Sequence, residues 1–287
     1  MCLPSRAIHL EPLCGMDTSS FRNALNRFVA IRGSVRTIRS DNGSNFLCAK
    51  RQMESLDVEK LVSEMGFSGI QWTLNPPHSS HHGGSWERKI GSVRRVLEAT
   101  VLLTHNRFLS RDEFATVLAE AANIVNNTPL WAVSANPDDP TPITPNMLIT
   151  LRAPGVPAPL DRFSEEDLMA YGQRRFRRVQ YLSDQFWHRW KTEYLSTLSS
   201  RHKWKTRTPC ISVGDVVLVR DKNLSRNQWA VGRVSSVRPS QDGLVRSASV
   251  DLPPIPGRNQ IRTLVRGITN LVLLVPSESH QCFNSAQ

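Results

Sequence analysis

The sequence predicts an α/β protein whose front half alternates strands with helices and whose rear half is a basic helix followed by short strands. Three observations predict this. The spacing of apolar residues switches between strand and helix periods over the front half, a proline-rich stretch follows, and most of the positive charge lies beyond it. The expected domains are a core (1–130), a proline-rich linker (131–162), a basic amphipathic helix (163–207), a small β-barrel (208–276) and a tail (277–287).

The front half reads as strand, helix, strand, helix, strand. Apolar residues alternate in AIHLEPL (7–13), which predicts a strand. Asp17 then opens a helix that Gly33 ends, because aspartate caps free backbone N–H groups and glycine accepts the left-handed turn after a helix. A strand at 35–40, a helix at 54–65 and a strand at 70–74 complete this α/β layer.

A long helix is expected from about Ser85, after a loop at 76–84 that is rich in histidine and glycine. Trp86 begins the apolar stripe of this helix and reads as a core anchor, because the following apolar residues recur at helical spacing. A further helix is expected at 111–127.

The rear half changes from a helical period to a strand period near Val213. Apolar residues at helical spacing over 165–200 predict an amphipathic helix. Four β runs follow, with glycine and aspartate turn signals between them. A few short strands bury their apolar side by closing on themselves, so we expect a barrel of SH3-like size. The runs are VGDVVLVRD, QWAVGRVSSVRP, GLVRSASVDL and TNLVLLV.

The chain is strongly basic, with a formal net charge of +11 and a pI of about 10.0. Residues 1–162 hold 17 basic and 15 acidic side chains, whereas residues 163–276 hold 19 basic and 9 acidic ones, a net charge of +10. A nearly neutral front and a basic rear predict a scaffold joined to a module that binds a polyanion. The alternative is a solvated basic surface.

Composition also excludes some classes. The five cysteines form no CxxC pair and no even framework, which is typical of reduced thiols rather than disulfides or zinc ligands. The N-terminus has charges and prolines where a secretory signal needs an apolar run. No apolar stretch reaches the roughly 20 residues of a membrane span. We therefore expect a soluble, intracellular protein that is not secreted and has no membrane partner.

Two carboxylates stand in short motifs, IRSDNGSNF (38–46) and PHSSHHGGSWER (77–88). Asp41 would close a strand and Glu87 would open a helix, so the two can converge on a divalent cation such as Mg²⁺, which prefers oxygen ligands. Two such ions stabilise the attacking and leaving oxygens of a phosphoryl displacement. Enzymes that cut or join DNA in this way usually need a third carboxylate.

These motifs, with RAIHLEPL and FRNALNRFVAIRGSVRTI, resemble the integrase core of BEL/Pao-type retrotransposon polyproteins, which belongs to the RNase H-like D-D-E class. The rear motifs RRVQYLSDQFWHRWKTEYLSTLSSRHKW and VGDVVLVRDKNLSRNQWAVGRV resemble the domain of unassigned function that follows that integrase. The resemblance covers roughly residues 3–276 in the family order. It implies an incomplete RNase H-like core, a helical segment and an SH3-like barrel.

By this resemblance, Asp41 matches the second metal-binding aspartate and Glu87 matches the glutamate. Both are the expected catalytic residues and ligands of Mg²⁺ or Mn²⁺, and no zinc is expected. The family's first aspartate has no match, so we expect that this chain alone does not join DNA strands. Among the earlier acids, Asp17 is expected to cap a helix and Glu11 to face solvent. The expected nucleic-acid contacts are Asn45, His81, His82, Arg88, Lys89, Arg94, Arg95, Arg174, Arg175, Arg177, Arg178, Arg220 and Arg233.

Some of these residues have a second interpretation. The arginines at 174–178 form either a nucleic-acid patch or a helix face paired with the acids at 165–167. On the barrel, a backbone-binding face would also include Arg226, Arg238 and Arg246. Phe186, Trp187 and Trp190 of the rear helix are expected to pack rather than to stack on bases.

The preferred functional interpretation is a DNA-binding integrase-type protein in the nucleus, with the cytoplasm as the alternative location. Its expected partners are DNA and further copies of the chain, with no small-molecule cofactor. The second interpretation is a non-catalytic DNA- or chromatin-binding protein that acts through residues 163–276. The third is an SH3-like protein–protein adaptor.

Overall fold

The computed structural model describes most of the chain, and its described residues divide into two units. One unit consists of Met1 and Ile8–Ala122, and the other consists of Cys2–Ala7 and Asn123–Gln287. The described residues are 1–15, 17–33, 35–40, 71–74, 84–105, 108–132, 142–151, 159, 161–169, 175–198, 211–221, 224–239, 245–253 and 261–277. Within these ranges, none of the helices combines the length and apolar character that a membrane crossing requires.

Helix α1 runs from Thr18 to Arg32 and begins and ends as predicted. Asp17 is its N-cap, and the carboxylate accepts from the backbone N–H of Ser20 at 2.9 Å. Gly33 ends the helix with φ 85°, and its N–H donates to the carbonyl of Val29.

Strands β1 (Thr37–Ser40) and β2 (Gln71–Leu74) pair in parallel, and both lie within predicted strands. The predicted strand at 7–13 is wrong, because this segment has no strand conformation. Its alternation also fails at Ala7 and Ile8, which are adjacent and both buried. An extended segment needs a partner to satisfy its backbone, and no described strand pairs with this one.

Helix α2 (Gly84–Val101) and helix α3 (Arg111–Asn126) confirm the two helices predicted after the histidine-rich segment. A 3₁₀ turn at Leu102–Thr104 follows α2. Helix α3 begins with a reciprocal cap. The N–H of Ser110 donates to the carboxylate of Glu113 at 2.8 Å, and the N–H of Glu113 donates to the Ser110 hydroxyl.

The proline-rich stretch, expected to be a linker, contains short elements. Strands β3 (Trp131–Ala132) and β4 (Pro142–Ile143) pair in antiparallel fashion, and helix α4 (Pro145–Thr150) follows directly. Thr144 caps α4 while Pro145 occupies its first turn, where a missing N–H costs nothing.

The helical pattern at 165–200 is divided. A 3₁₀ helix covers Glu165–Met169, and helix α5 covers Arg175–Leu198. The buried face of α5 includes Phe186, Trp187 and Trp190, which confirms that these aromatic side chains pack. Phe186 and Trp190 stack with ring centroids 6.3 Å apart.

In the described residues, the rear sheet has five antiparallel strands rather than the four that were predicted. They are ordered β8-β7-β6-β5-β9, and a 3₁₀ turn at Ile268–Asn270 joins β8 to β9. The missed strand is β8, in which arginines interrupt the apolar residues. The strands are β5 (Val216–Val219), β6 (Ala230–Pro239), β7 (Val245–Leu252), β8 (Arg262–Gly267) and β9 (Leu271–Val275).

Strand β5 is buried on both faces, because it lies between two apolar clusters. Val217 and Val219 belong to the cluster inside the sheet, together with residues of β6, β7 and β9. Val216 and Leu218 belong to a second cluster, which includes Leu195 of α5. Helix α5 therefore packs on the outer face of the sheet and forms part of the same folded unit.

Candidate nucleic-acid interface

Helix α2 carries the predicted glutamate and the first group of predicted phosphate contacts. Glu87 lies in its first turn and is half-buried. Arg88, Arg94 and Arg95 are exposed, whereas Lys89 is half-buried. The helix therefore presents guanidinium groups to solvent on the turns that follow Glu87.

The two acids that precede Asp41 are both engaged. The backbone N–H and then the hydroxyl of Ser20 bind the Asp17 carboxylate and hold its pKa below the ordinary value. Glu11 was expected to face solvent, which is wrong. Its carboxylate is half-buried, accepts from Arg27 Nε and lies 3.0 Å from His9 Nε2.

Five predicted site residues lie outside the described ranges: Asp41, Asn45, His81, His82 and Arg174. Of the two expected Mg²⁺ ligands, the described residues therefore supply Glu87. No group of three or more histidine, cysteine, aspartate or glutamate side chains able to hold a metal ion occurs within those ranges.

The arginines at the start of α5 have three different environments. Arg175 is exposed. Arg177 binds Asp167 through Nε at 2.7 Å and Nη2 at 3.3 Å, and this hydrogen bond raises the pKa of the guanidinium. Arg178 is buried, with 2% of its surface exposed. The segment is therefore not a continuous basic face, and the predicted pairing with an acid of the 165–167 group is present at Asp167.

Two arginines of the predicted barrel face are directed inward. Arg226 is 3% exposed, donates to the side-chain carbonyl of Gln180 and lies 3.7 Å from Asp184 of α5. Arg220 is half-buried, and its Nη2 donates to the carbonyl of Leu195 at 3.3 Å. Both guanidinium groups tie α5 to the sheet, so Arg226 is not part of an outward basic face.

The exposed arginines of the sheet lie at the β6–β7 hairpin and on β8. Arg238 and Arg246 are exposed on neighbouring strands, since Arg238 is opposite Ser247. Arg233 is half-buried and lies opposite Asp251. Arg262 of β8 is also exposed and was missed, because the strand that carries it was missed. The stretch RTLVR has no strict alternation of apolar and polar residues, so the strand periodicity gave no signal for it.

This arrangement suits binding to phosphate groups. Exposed guanidinium groups attract polyanions and release counterions from nucleic acid. Base stacking has less support, since Trp187 and Trp190 are buried and Trp229 packs edge-on against Trp187 with centroids 4.9 Å apart. The described part of the second unit therefore offers exposed guanidinium groups for phosphate contacts, and its exposed aromatic ring is that of Phe176, at 57%.

Comparisons with known proteins give a family match for the rear half. A family model described as a family of unknown function (DUF5641) matches residues 174–274, which include α5 and the five-stranded sheet as far as Leu274. No curated protein matches the chain. Among solved structures, a chain of the simian T-cell lymphotropic virus intasome in complex with PP2A regulatory subunit B56 gamma is similar, with 16% identity, a TM-score of 0.32 and 90% of this chain covered. The present chain spans 65% of that chain's length.

Proposed function

We propose that this chain is a DNA-binding protein of the retrotransposon integrase type, and that it binds the DNA backbone through exposed arginines of its rear half. The observation that carries the proposal is the pair Arg238 and Arg246, exposed on adjacent strands of a segment whose net charge is +10. Phosphate contacts of this kind give affinity without sequence preference. Because DNA is the proposed partner, we also propose that the protein acts in the nucleus.

The proposal includes an SH3-like barrel for residues 208–276. Its support is the strand order, in which the first strand, β5, lies between the second strand and the last one, and the 3₁₀ turn before β9. The family match falls on the segment where the sequence resembles the domain of unassigned function that follows a BEL/Pao integrase. For the front half, the proposal is a partial RNase H-like core, supported by the parallel pair β1–β2 and by α2.

DNA binding is tested by the salt dependence of affinity for a labelled duplex, measured by fluorescence anisotropy. The double variant Arg238→Glu/Arg246→Glu should bind more weakly at every salt concentration. The logarithm of the binding constant falls as the logarithm of the salt concentration rises, and loss of two phosphate contacts should make this slope less negative by about 2. A charge-matched control changes Arg32 and Arg36, which are exposed in the front unit, to glutamate. Equal losses of DNA affinity in the two double variants would show that Arg238 and Arg246 do not form a specific DNA-binding surface.

We further propose that the chain alone does not join DNA strands. Glu87 and Asp41 are the proposed ligands of Mg²⁺ or Mn²⁺, which would supply electrostatic stabilisation of the transferring phosphate when bound. The engagement of Glu11 and Asp17 supports the absence of a third ligand among the preceding acids. The test is incubation with either metal and a labelled duplex. DNA binding without strand transfer is the expected result, and strand transfer that disappears in Asp41→Ala would contradict the proposal.

A further inference from the structure

Strand β8 forms one end of the rear sheet. It pairs with β7 on one side, and no described strand pairs with its other side. An unpaired strand presents a row of backbone N–H and C=O groups that a further extended chain can bind. The opposite end of the sheet is different, since β9 lies close to β3. Among the described strands, β8 and β9 each have one unpaired side, and the less covered of the two is that of β8.

The side chains along β8 combine apolar and basic groups. Val265 is 46% exposed, and Ile261, just before the strand, is 60% exposed. Leu264 packs against the interior cluster, so Arg262 and Arg266, two residues before and after it, project from the same side of the strand. Arg266 Nη1 donates to the backbone carbonyl of Val265 at 3.1 Å, so this carbonyl of β8 already has a side-chain partner.

The charge around the edge indicates its partner. Arg262 is exposed and Arg266 is half-buried, and both stand on β8 itself. On the outer face, the carboxylate of Asp251 already accepts from Thr263 Oγ1 at 2.6 Å. An acidic chain would gain from this local positive charge, whereas a second copy of β8 would bring two further arginines against it.

The geometry points to a peptide-docking site at β8: an extended acidic segment of a partner protein adds a sixth strand to the sheet. Its backbone pairs with β8, its apolar side chains cover Val265 and Ile261, and its carboxylates bind Arg262 and Arg266. This site is separate from the proposed DNA contacts of Arg238 and Arg246, and it does not depend on them.

The experiment uses the full chain and a labelled peptide of four Glu-Val repeats. Two analogues are its matched controls: one replaces glutamate with lysine, and one replaces a central valine with proline, which removes a backbone N–H. The acidic peptide should bind at least about tenfold more tightly than either analogue. Hydrogen exchange of the backbone amides at 262–267 should slow when the acidic peptide is present.

Two protein variants separate the edge from the DNA surface. Arg262→Glu/Arg266→Glu should weaken binding of the acidic peptide by at least about tenfold, and Arg238→Glu/Arg246→Glu should leave it within about twofold. Equal binding of the three peptides, or unchanged exchange at β8 in the unaltered protein, would overturn the inference. Two other occupants would also overturn it: a second copy, if β8 amides gain protection as protein concentration rises without peptide, or DNA, if a duplex displaces the peptide and loses affinity in the Arg262/Arg266 variant alone.

Discussion

Trp190 Nε1 donates to Thr128 Oγ1 at 3.0 Å, and both residues are buried. This hydrogen bond joins α5 to the segment that follows α3. Thr128→Val keeps the shape of the side chain and removes the acceptor, so the indole N–H is left buried without its partner. We expect a loss of about 1–3 kcal/mol in the free energy of unfolding, measured with urea.

A matched control for this substitution is Thr116→Val, because Thr116 is exposed and its hydroxyl donates to the carbonyl of Asp112 one turn earlier. Its effect should stay within about 0.5 kcal/mol. Similar losses in the two variants would show that the buried indole N–H does not depend on Thr128.

The change of glycine to alanine should have opposite effects on stability at Gly232 and at Gly91. A Cβ at Gly232 would lie 2.5 Å from the backbone carbonyl of Asp251, so the strands β6 and β7 must separate. Gly232→Ala should therefore destabilise the protein by about 1–3 kcal/mol. Gly91 is exposed in the middle of α2 with open space around it, and Gly91→Ala should stabilise by about 0.5–1 kcal/mol. Thermal unfolding of both variants, followed by circular dichroism, measures the two signs.

Alkaline pH should weaken the second unit through Tyr194. Burial raises the pKa of this phenol to about 12, and its hydroxyl donates to the carbonyl of Pro129. The unfolded chain loses the proton near pH 10, so stability is complete below that value and falls as pH rises towards 12. The raised pKa corresponds to about 2–3 kcal/mol. Urea unfolding between pH 8 and 12 should show this loss in the unaltered protein and a smaller loss in Tyr194→Phe.

Acid should weaken the first unit through Glu11. Burial acts to raise the pKa of this carboxyl, but the hydrogen bonds and charges of Arg27 and His9 outweigh it, so the pKa lies below its ordinary value. The carboxylate therefore stabilises the fold when the pH is above the pKa of Glu11 in the unfolded chain. That contribution is lost as the pH falls through the lower pKa of Glu11 in the folded protein. Glu11→Gln should be less stable than the unaltered protein at pH 6, and the difference should shrink towards pH 3. A constant difference across this range, measured by urea unfolding, would contradict the assignment.

Local signals predicted much of the fold, because they depend on neighbouring residues. Asp17 and Gly33 bound a helix for reasons of backbone geometry, and the apolar spacing of α2 and α3 is a property of each segment alone. Strand 7–13 failed because pairing depends on a second strand, which the segment does not contain.

The net charge of the candidate site could be predicted from the sequence, but which of its arginines are exposed could not. Arg226 and Arg178 count as positive charges in the sequence, yet both are buried. Arg226 finds its partner in Gln180, 46 residues earlier, and no spacing rule reports a contact over that separation. Arg238 and Arg246 were predicted on a basic face and are exposed, whereas the burial of Arg226 became evident only from the packing of α5 on the sheet.

The position of β5 between two apolar clusters decides how the rear half can be divided. A fragment that begins at residue 208, where the sequence places the start of the barrel, would lack α5 and leave Val216 and Leu218 facing water. Such a fragment should aggregate or stay partly unfolded, whereas one that begins before Arg175 keeps both layers. Helix α5 is therefore a structural part of this domain, and its removal by proteolysis should cause the sheet to unfold.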